Sequence, residues 1–209
     1  MEYVKAYNKG RGPERLDGDA TRESVSLEAR EAALAFMSGA ASGWDKLDLA
    51  LWLTGPYARA TRHTMHGERF AVIGAEEIAD ETLVDLVEHA RSRVLAELEE
   101  ASLDCGALDF AAEAVERGHV KKATDVEGRP AWYPVDGART TLEDRVKSLF
   151  VADYLNTPYA YAELFVCHRC RAVAFDDAAK TIGLCGAHRS SGIVPKEGAT
   201  AVDDESIAS

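Results

Sequence analysis

The sequence predicts a mainly α protein, with about five helices around one core and a small β appendage near the carboxyl end. Three observations predict this fold class. Apolar residues recur at helical spacing through most of residues 26–164. Residues that cap or end helices stand at the boundaries of these periodic segments. With 209 residues, 46% of them hydrophobic, the chain is also large enough to bury one such core.

Two helices are predicted at the start of this region. Ser26 is a favourable N-cap for the first, which we expect to end at Gly39. The second covers residues 45–55. Gly55 and Pro56 then break or kink it, because proline lacks the N–H group that a helix needs.

The longest periodic segment, residues 80–102, predicts a third helix with one apolar stripe. The stripe advances by four, three, four and four residues through Leu83, Val87, Ala90, Val94 and Leu98. A fourth helix is predicted over residues 107–119, where Gly118 ends it.

Residues 120–138 interrupt the helical pattern and predict an irregular hairpin or an extended loop. β-Forming residues flank Glu127 and Gly128, and two prolines bound an aromatic pair. That pair, Trp132 and Tyr133, is a candidate docking site for a protein partner. The alternative is that Trp132 covers the helical core.

The fifth predicted helix has the clearest boundaries in the chain. Thr140 or Thr141 can cap it, with an acidic residue three positions later, and residues 156–158 end it. Its expected buried stripe consists of Leu142, Val146, Leu149, Phe150 and Tyr154.

Composition and patterning divide the chain into four predicted parts. These are a mobile polar arm (residues 1–25), a helical domain (26–164), a compact module (165–195) and a disordered acidic tail (196–209). The net charge of −12 argues against a general affinity of the whole surface for nucleic acid. The sequence has no apolar run long enough to span a membrane and no signal-peptide pattern, so we expect a cytoplasmic protein.

Three of the four cysteines lie close together in the compact module. Cys167, Cys170, Cys185 and His188 have the spacing C-x2-C-x14-C-x2-H, which is typical of tetrahedral Zn²⁺ sites. Reduced thiols at coincidental spacing, or a redox pair, are the alternatives. Four protein ligands would leave no open position for substrate, so the site is predicted to be structural. Cys105, outside the module, is expected to be a small buried residue.

Between the two ligand pairs, residues 171–175 and 180–184 are each suited to a short strand, with a bend between them. This stretch resembles a zinc ribbon or a treble-clef finger over residues 165–189. The resemblance implies that Cys167, Cys170, Cys185 and His188 are the four zinc ligands. It also adds a small zinc-bound β-hairpin module to the expected mainly α fold. Ribbons usually carry glycine after the second ligand of each pair, where this chain has Arg171 and Arg189.

The module is a net-positive region in an acidic chain. Its basic residues are Arg169, Arg171, Lys180 and Arg189. They could offset the charge of about −1 that three thiolates and one imidazole leave on Zn²⁺. They could instead contact phosphate groups.

These features favour a non-enzymatic adaptor or regulator that acts through protein contacts. The alternative is a transcription-linked factor that binds nucleic acid through the basic module. An enzyme that uses a second metal at His63 and His66, near Glu68, is a third hypothesis, although the chain has no recognisable catalytic motif. The sequence leaves the partner and the oligomeric state open.

Overall fold

The computed structural model describes residues 19–61, 80–124, 130–137 and 140–189. Most of these residues are helical, which confirms the mainly α fold class. The helices of the body are α1 (Asp19–Ala40), α2 (Lys46–Trp52), α3 (Ala58–Thr61), α4 (Asp80–Leu103), α5 (Ala111–Glu116) and α6 (Leu142–Asn156). None of the described helices is long and apolar enough to cross a membrane.

Helix α6 is the centre of the body and packs against α1, α4 and the first hairpin. Thr141 caps it through a reciprocal pair of hydrogen bonds with Asp144, as the sequence predicts. The predicted apolar stripe is buried, and so are Val151 and Ala152 on other faces. The helix is therefore enclosed on most sides, and its small residues allow neighbouring helices to approach closely.

Helix α4 buries its predicted stripe of Leu83, Val87, Ala90, Val94 and Leu98. These side chains join the continuous core that runs from α1 to the C-terminal region. The helical period read from the sequence is confirmed here, because one side of α4 faces the core and the other faces solvent.

Helix α1 begins at Asp19, so Ser26 lies within the helix and the prediction that it is the N-cap was wrong. The Ser26 side chain is buried and donates a hydrogen bond to Asp153 of α6. A tertiary hydrogen bond has replaced the local one that makes serine a good cap. The rest of the predicted arm, residues 1–18, lies outside the described residues, as do residues 190–209.

Pro56 does not end the second helix. Residues Leu53–Tyr57 form a π-helical turn that contains Pro56, and α3 continues directly from it. A π-turn widens the helix locally and tolerates a residue without an N–H donor. The side chains of Trp52 and Tyr57 are buried on either side of this turn and stack with ring centroids 5.0 Å apart.

The predicted hairpin is present as strands β1 (Val120–Thr124) and β2 (Pro130–Pro134), which pair antiparallel. Asn156 at the end of α6 holds β2 in place. Its Oδ1 accepts from the Trp132 N–H at 2.9 Å, and its Nδ2 donates to the Trp132 carbonyl at 2.8 Å. Trp132 is half-buried against the main core and Tyr133 is buried beside Val25, so both rings pack within the protein. Partner docking at this pair stays a prediction.

The C-terminal region begins with a 3₁₀-helix (Pro158–Glu163). It continues through strands β3 (Leu164–Val166) and β4 (Val173–Phe175), which pair antiparallel, and helices α7 (Asp177–Ile182) and α8 (Gly186–Arg189). We call residues 164–189 the metal corner. The predicted pairing of residues 171–175 with 180–184 was wrong, because the hairpin of this region pairs β3 with β4 and spans residues 164–175.

The prediction of a strand at residues 180–184 was wrong, because most of this stretch belongs to α7 and to its end. Asp176 caps α7 by accepting a hydrogen bond from the Ala179 N–H at 2.9 Å. Gly183 ends the helix in the left-handed conformation, with φ of 73°. An aspartate cap and a terminal glycine are ordinary helix signals. They outweighed the short apolar run that suggested a strand.

Strand β3 faces two different environments. Leu164 and Val166 are buried in the core of the helical body, whereas Phe165 is buried in a separate small cluster with Cys167 and Ala179. Alternate side chains of a strand point to opposite faces. The strand therefore joins the body to the metal corner.

Candidate metal centre

Each of the four predicted ligands lies at the end of an element of the metal corner. Cys167 follows β3 and Cys170 lies in the turn before β4. Cys185 immediately precedes α8, and His188 lies within it. Among the described residues, these four form the one group of at least three His, Cys, Asp or Glu side chains placed to share a metal ion. Their ligand atoms all lie within 4.8 Å of one another.

The distances fit the edges of a coordination tetrahedron. Zn–S and Zn–N bonds of usual length require S···S separations of about 3.8 Å and S···N separations of about 3.6 Å. The Sγ atoms of Cys170 and Cys185 lie 3.7 Å apart. The Nδ1 atom of His188 lies 3.4 Å from Cys167 Sγ and 3.3 Å from Cys185 Sγ. Because a third sulfur and an imidazole join the two cysteines of the first pair, the geometry suits a metal better than a redox pair.

The first ligand pair is held by a tight turn of the backbone. The Arg171 N–H donates to the Cys167 carbonyl at 2.8 Å, and the Cys167 N–H donates to the Ala172 carbonyl at 2.9 Å. Arg171 has φ of 61°, in the left-handed region that favours glycine. The chain thus adopts the turn that glycine usually serves in ribbons, with arginine in its place.

The second ligand pair is positioned by the first turn of α8. The N–H groups of His188 and Arg189 both donate to the Cys185 carbonyl, at 2.9 and 3.0 Å. The Cys185 N–H points at the Cys167 sulfur, 3.4 Å away. Gly183 allows the two halves to approach, because a Cβ at this position would lie 2.7 Å from the imidazole of His168.

The three sulfur atoms have different environments. Cys167 is buried, Cys185 is half-buried and Cys170 is exposed. Burial by itself would raise the pKa of the Cys167 thiol, but backbone N–H groups of the turn and of Cys185 donate to its sulfur. Together with His188 they lower the pKa of Cys167 to about 5. Partial desolvation of the sulfur within the ligand turn and the neighbouring thiols of Cys167 and Cys185 raise the pKa of Cys170, although the residue as a whole is exposed.

The basic residues of the module mostly have partners within the chain. Arg171 pairs with Glu99 of α4. Arg189 pairs with Asp176 at 2.5 Å, and Lys180 donates to the Ala162 carbonyl at 2.8 Å. Arg169 is exposed. The ion pair from Arg171 fastens the first ligand turn to the helical body.

A buried polar network beneath the metal corner was not predicted from the sequence. Asp153 of α6 is fully buried and accepts two hydrogen bonds from Arg30, at 2.8 and 3.0 Å. Tyr161 donates to the same carboxylate at 2.9 Å, and Ser26 and Thr157 complete its partners. A buried carboxylate needs such partners to remain charged. An aspartate at an otherwise apolar stretch of α6 was the available signal.

The same network reaches the metal corner through an aromatic ring. The guanidinium carbon of Arg30 lies 4.3 Å from the centroid of Phe175 in β4. Phe175 also packs edge-on against Tyr161, with centroids 5.0 Å apart. The ion pair of the body therefore forms part of the surface on which the second hairpin rests.

Two further predictions concern residues outside the metal corner. Cys105 is exposed with φ of 52°, so the expectation that it is buried was wrong. It lies in the tight turn after α4, where the left-handed backbone directs the chain toward Gly106. His63 and His66 lie outside the described residues, so a second metal site there stays a prediction.

No protein-family model matches this chain, and neither a curated protein nor a solved structure matches it.

Proposed function

We propose that this protein is a non-enzymatic zinc-binding protein that acts as an adaptor or regulator through contacts with a protein partner. The carrying observation is the set of four ligand atoms within 4.8 Å of one another. Their separations correspond to one ion held by Cys167, Cys170, Cys185 and His188. With all four positions filled by the protein, the ion has a structural role.

The donor set favours zinc among the common metals. Three sulfurs and one imidazole are poor ligands for Mg²⁺ and Ca²⁺, which bind oxygen. Tetrahedral sulfur-rich sites suit Zn²⁺ and also iron, so metal analysis must distinguish them. Thiolate ligands need a reducing compartment, which is why a cytoplasmic location belongs to the proposal.

Within the zinc-module families, we place the metal corner closer to a treble-clef finger than to a ribbon. The expected ribbon carries each ligand pair in a turn between strands. Here the second pair lies at the start of helix α8, and residues Asp177–Ile182 are helical. The first pair, in the turn between β3 and β4, is compatible with both families.

Two observations support protein contacts over nucleic-acid contacts. Large apolar side chains are exposed on the metal corner and on two elements that pack against it, with Ile182 at 54%, Leu103 of α4 at 87% and Tyr159 of the 3₁₀-helix at 71%. In contrast, the side chains of Arg171 and Arg189, two of the candidate phosphate contacts, pair with carboxylates of the same chain. Using them to bind phosphate would require breaking these pairs.

The zinc site is tested by metal analysis of the full chain purified without chelators. We expect one zinc per chain, with loss of the metal in Cys167→Ser and His188→Ala. The matched control is Cys105→Ser, which removes an exposed thiol outside the site and should keep the metal. A stoichiometric iron content, or no metal in the wild type, would refute the assignment.

The adaptor role is tested by affinity purification with the zinc-loaded chain after nuclease treatment. We expect a protein to be retained by the wild type and lost with the double variant Leu103→Ser, Tyr159→Ser. An equivalent change at Leu47 and Leu51, which are exposed on α2, serves as a control for general surface effects. Retained species that disappear on nuclease treatment alone would instead support the nucleic-acid alternative.

A further inference from the structure

We propose that hydroperoxides oxidise Cys170. The oxidised residue then forms a disulfide with Cys185, and the metal is released. This inference rests on the proposed zinc site. It concerns the unequal reactivity of the three sulfurs, which the symmetrical ligand spacing in the sequence does not reveal.

Access separates the three sulfurs first. A peroxide oxygen must reach the sulfur directly, because the thiolate attacks it along the O–O bond. Cys167 is buried between β3 and α7, and Cys185 is half-buried. Cys170 is exposed, so an oxidant from solvent meets its sulfur before the other two.

Hydrogen bonding also makes Cys170 more reactive than Cys167. The Cys167 sulfur accepts from backbone N–H groups of Arg169, Cys170 and Cys185. Ala172 provides the backbone N–H contact to the Cys170 sulfur. Each N–H group withdraws electron density from the sulfur. A metal-bound thiolate with fewer donors is therefore the better nucleophile.

The resolving sulfur is also in place. The Sγ atom of Cys185 lies 3.7 Å from that of Cys170. A disulfide bond is about 2.05 Å long, so the two atoms must approach by about 1.7 Å, which is within the range of side-chain rotation. The Cys167 sulfur also lies within 4.8 Å of Cys170, but Cys167 is buried against Phe165 and Ala179.

The chemistry balances with one hydroperoxide as the oxidant. The Cys170 thiolate attacks a peroxide oxygen, so an S–O bond forms, the O–O bond breaks and hydroxide leaves. The Cys185 thiolate then attacks the Cys170 sulfur, so the S–S bond forms and the sulfenic oxygen leaves as a second hydroxide. Two thiolates lose two electrons in total, and hydrogen peroxide with two protons becomes two waters.

Oxidation would remove two of the four zinc ligands. Cys167 and His188 alone do not complete a tetrahedral site, so the ion dissociates. Loss of the ion weakens the join between the two ligand turns, which the hydrogen bond from the His168 N–H to the Gly183 carbonyl, at 3.1 Å, and the Arg189–Asp176 pair also hold.

The experiment uses the full chain with Cys105→Ser, loaded with zinc and quantified before treatment. Hydrogen peroxide is added from equimolar amounts upward, released zinc is followed with a chromogenic chelator, and disulfides are mapped by mass spectrometry after alkylation. We expect one zinc released per disulfide and Cys170–Cys185 as the main product. A thiol reductant with added zinc should restore the site.

A second readout uses limiting iodoacetamide on the zinc-loaded protein. We expect Cys170 to be alkylated at least tenfold faster than Cys167. A main disulfide that includes Cys167, equal alkylation rates, or full zinc retention under excess peroxide would overturn the inference while leaving the zinc site intact. A preparation without zinc before any treatment refutes the zinc site itself, and the inference with it.

Discussion

The helical body and the metal corner are held together in different ways. The body has one continuous core, with side chains from every long helix. The separate cluster of the metal corner has three buried members, Phe165, Cys167 and Ala179. Ordering each backbone residue costs about 1–2 kcal/mol, which so small a cluster cannot offset over residues 167–189, although Val173 and Phe175 also pack against the core of the body. The packing of apolar side chains therefore determines the fold of the body, and we expect metal binding by the four candidate ligands to determine the fold of the metal corner.

The two regions nevertheless share a border. Arg171 of the first ligand turn pairs with Glu99 of α4, and Arg30 of α1 lies over Phe175 of β4. Both contacts use charged side chains and add to the packing of β3. The contrast can accordingly be tested by changes that should affect one region and leave the other unaltered.

The largest expected effect is removal of the metal. Chelation, or Cys167→Ser, should unfold the metal corner while most of the helical signal persists, because zinc supplies on the order of 10 kcal/mol to such modules. Hydrogen exchange checks this result, with protection lost over residues 167–189 and kept in α4 and α6, because β3 packs in the core of the body. Equal loss of protection in α6 would mean that the body also depends on the ion.

The next effect concerns the buried ion pair at the border. Asp153→Ala should destabilise the protein by about 3–5 kcal/mol, because it leaves the Arg30 charge without its partner. Urea unfolding measures the loss. As a control, Glu113→Ala removes the exposed pair with Arg117 and should cost less than about 1 kcal/mol. Similar losses in the free energy of unfolding for the two variants would show that the buried pair stabilises the protein no more than the exposed pair does.

A core truncation tests whether the body depends on packing. Leu98→Ala should cost about 2–5 kcal/mol through lost burial and the cavity that remains. Leu103→Ala, in the same helix but highly exposed, should change the free energy of unfolding by less than about 0.5 kcal/mol. Zinc affinity should be the same in both variants, and a weaker affinity in Leu98→Ala would show that the regions are coupled.

Substitution of one helix cap in each region allows the body and the metal corner to be compared directly. Thr141→Ala removes the cap of α6 and should lower the free energy of unfolding of the body by about 1 kcal/mol. Asp176→Ala removes the cap of α7 and the ion pair with Arg189, in a region whose folding is linked to the metal, so we expect zinc affinity to fall roughly fivefold. If Asp176→Ala changed the stability to urea but not the zinc affinity, folding of α7 would not be linked to metal binding.

The smallest expected effect is the response of the body to alkali. Burial by itself would lower the pKa of Lys147, but hydrogen bonds to Glu143 and Glu97 outweigh it and raise the pKa. A raised lysine pKa contributes stability below the unfolded value of about 10.4, which is lost as the pH rises through the folded value. Lys147→Met should therefore reduce the decline in stability above about pH 10, by less than about 1 kcal/mol. An unchanged decline in urea unfolding would refute this contribution.

The sequence predicted the body better than the corner, for physical reasons. The stripes of α4 and α6 repeat over several turns, so periodicity and capping residues locate them well. In the corner, Val173–Phe175 pairs with β3 across the ligand turn, and a run as short as KTIGL carries no reliable period. The four ligands were found from their spacing. The Arg30–Asp153 pair was missed, because nothing local indicates that residues 123 positions apart meet.

Because β3 leads directly into Cys167, an ion at the proposed site would also depend on the register of this strand. A slip of one residue in this strand would exchange its two faces and place Phe165 where Leu164 or Val166 belongs. The same slip would carry Cys167 away from the other three ligands. Metal binding therefore requires the correct register of β3. A chain in which this strand is shifted by one residue could not bring all four ligands to one ion.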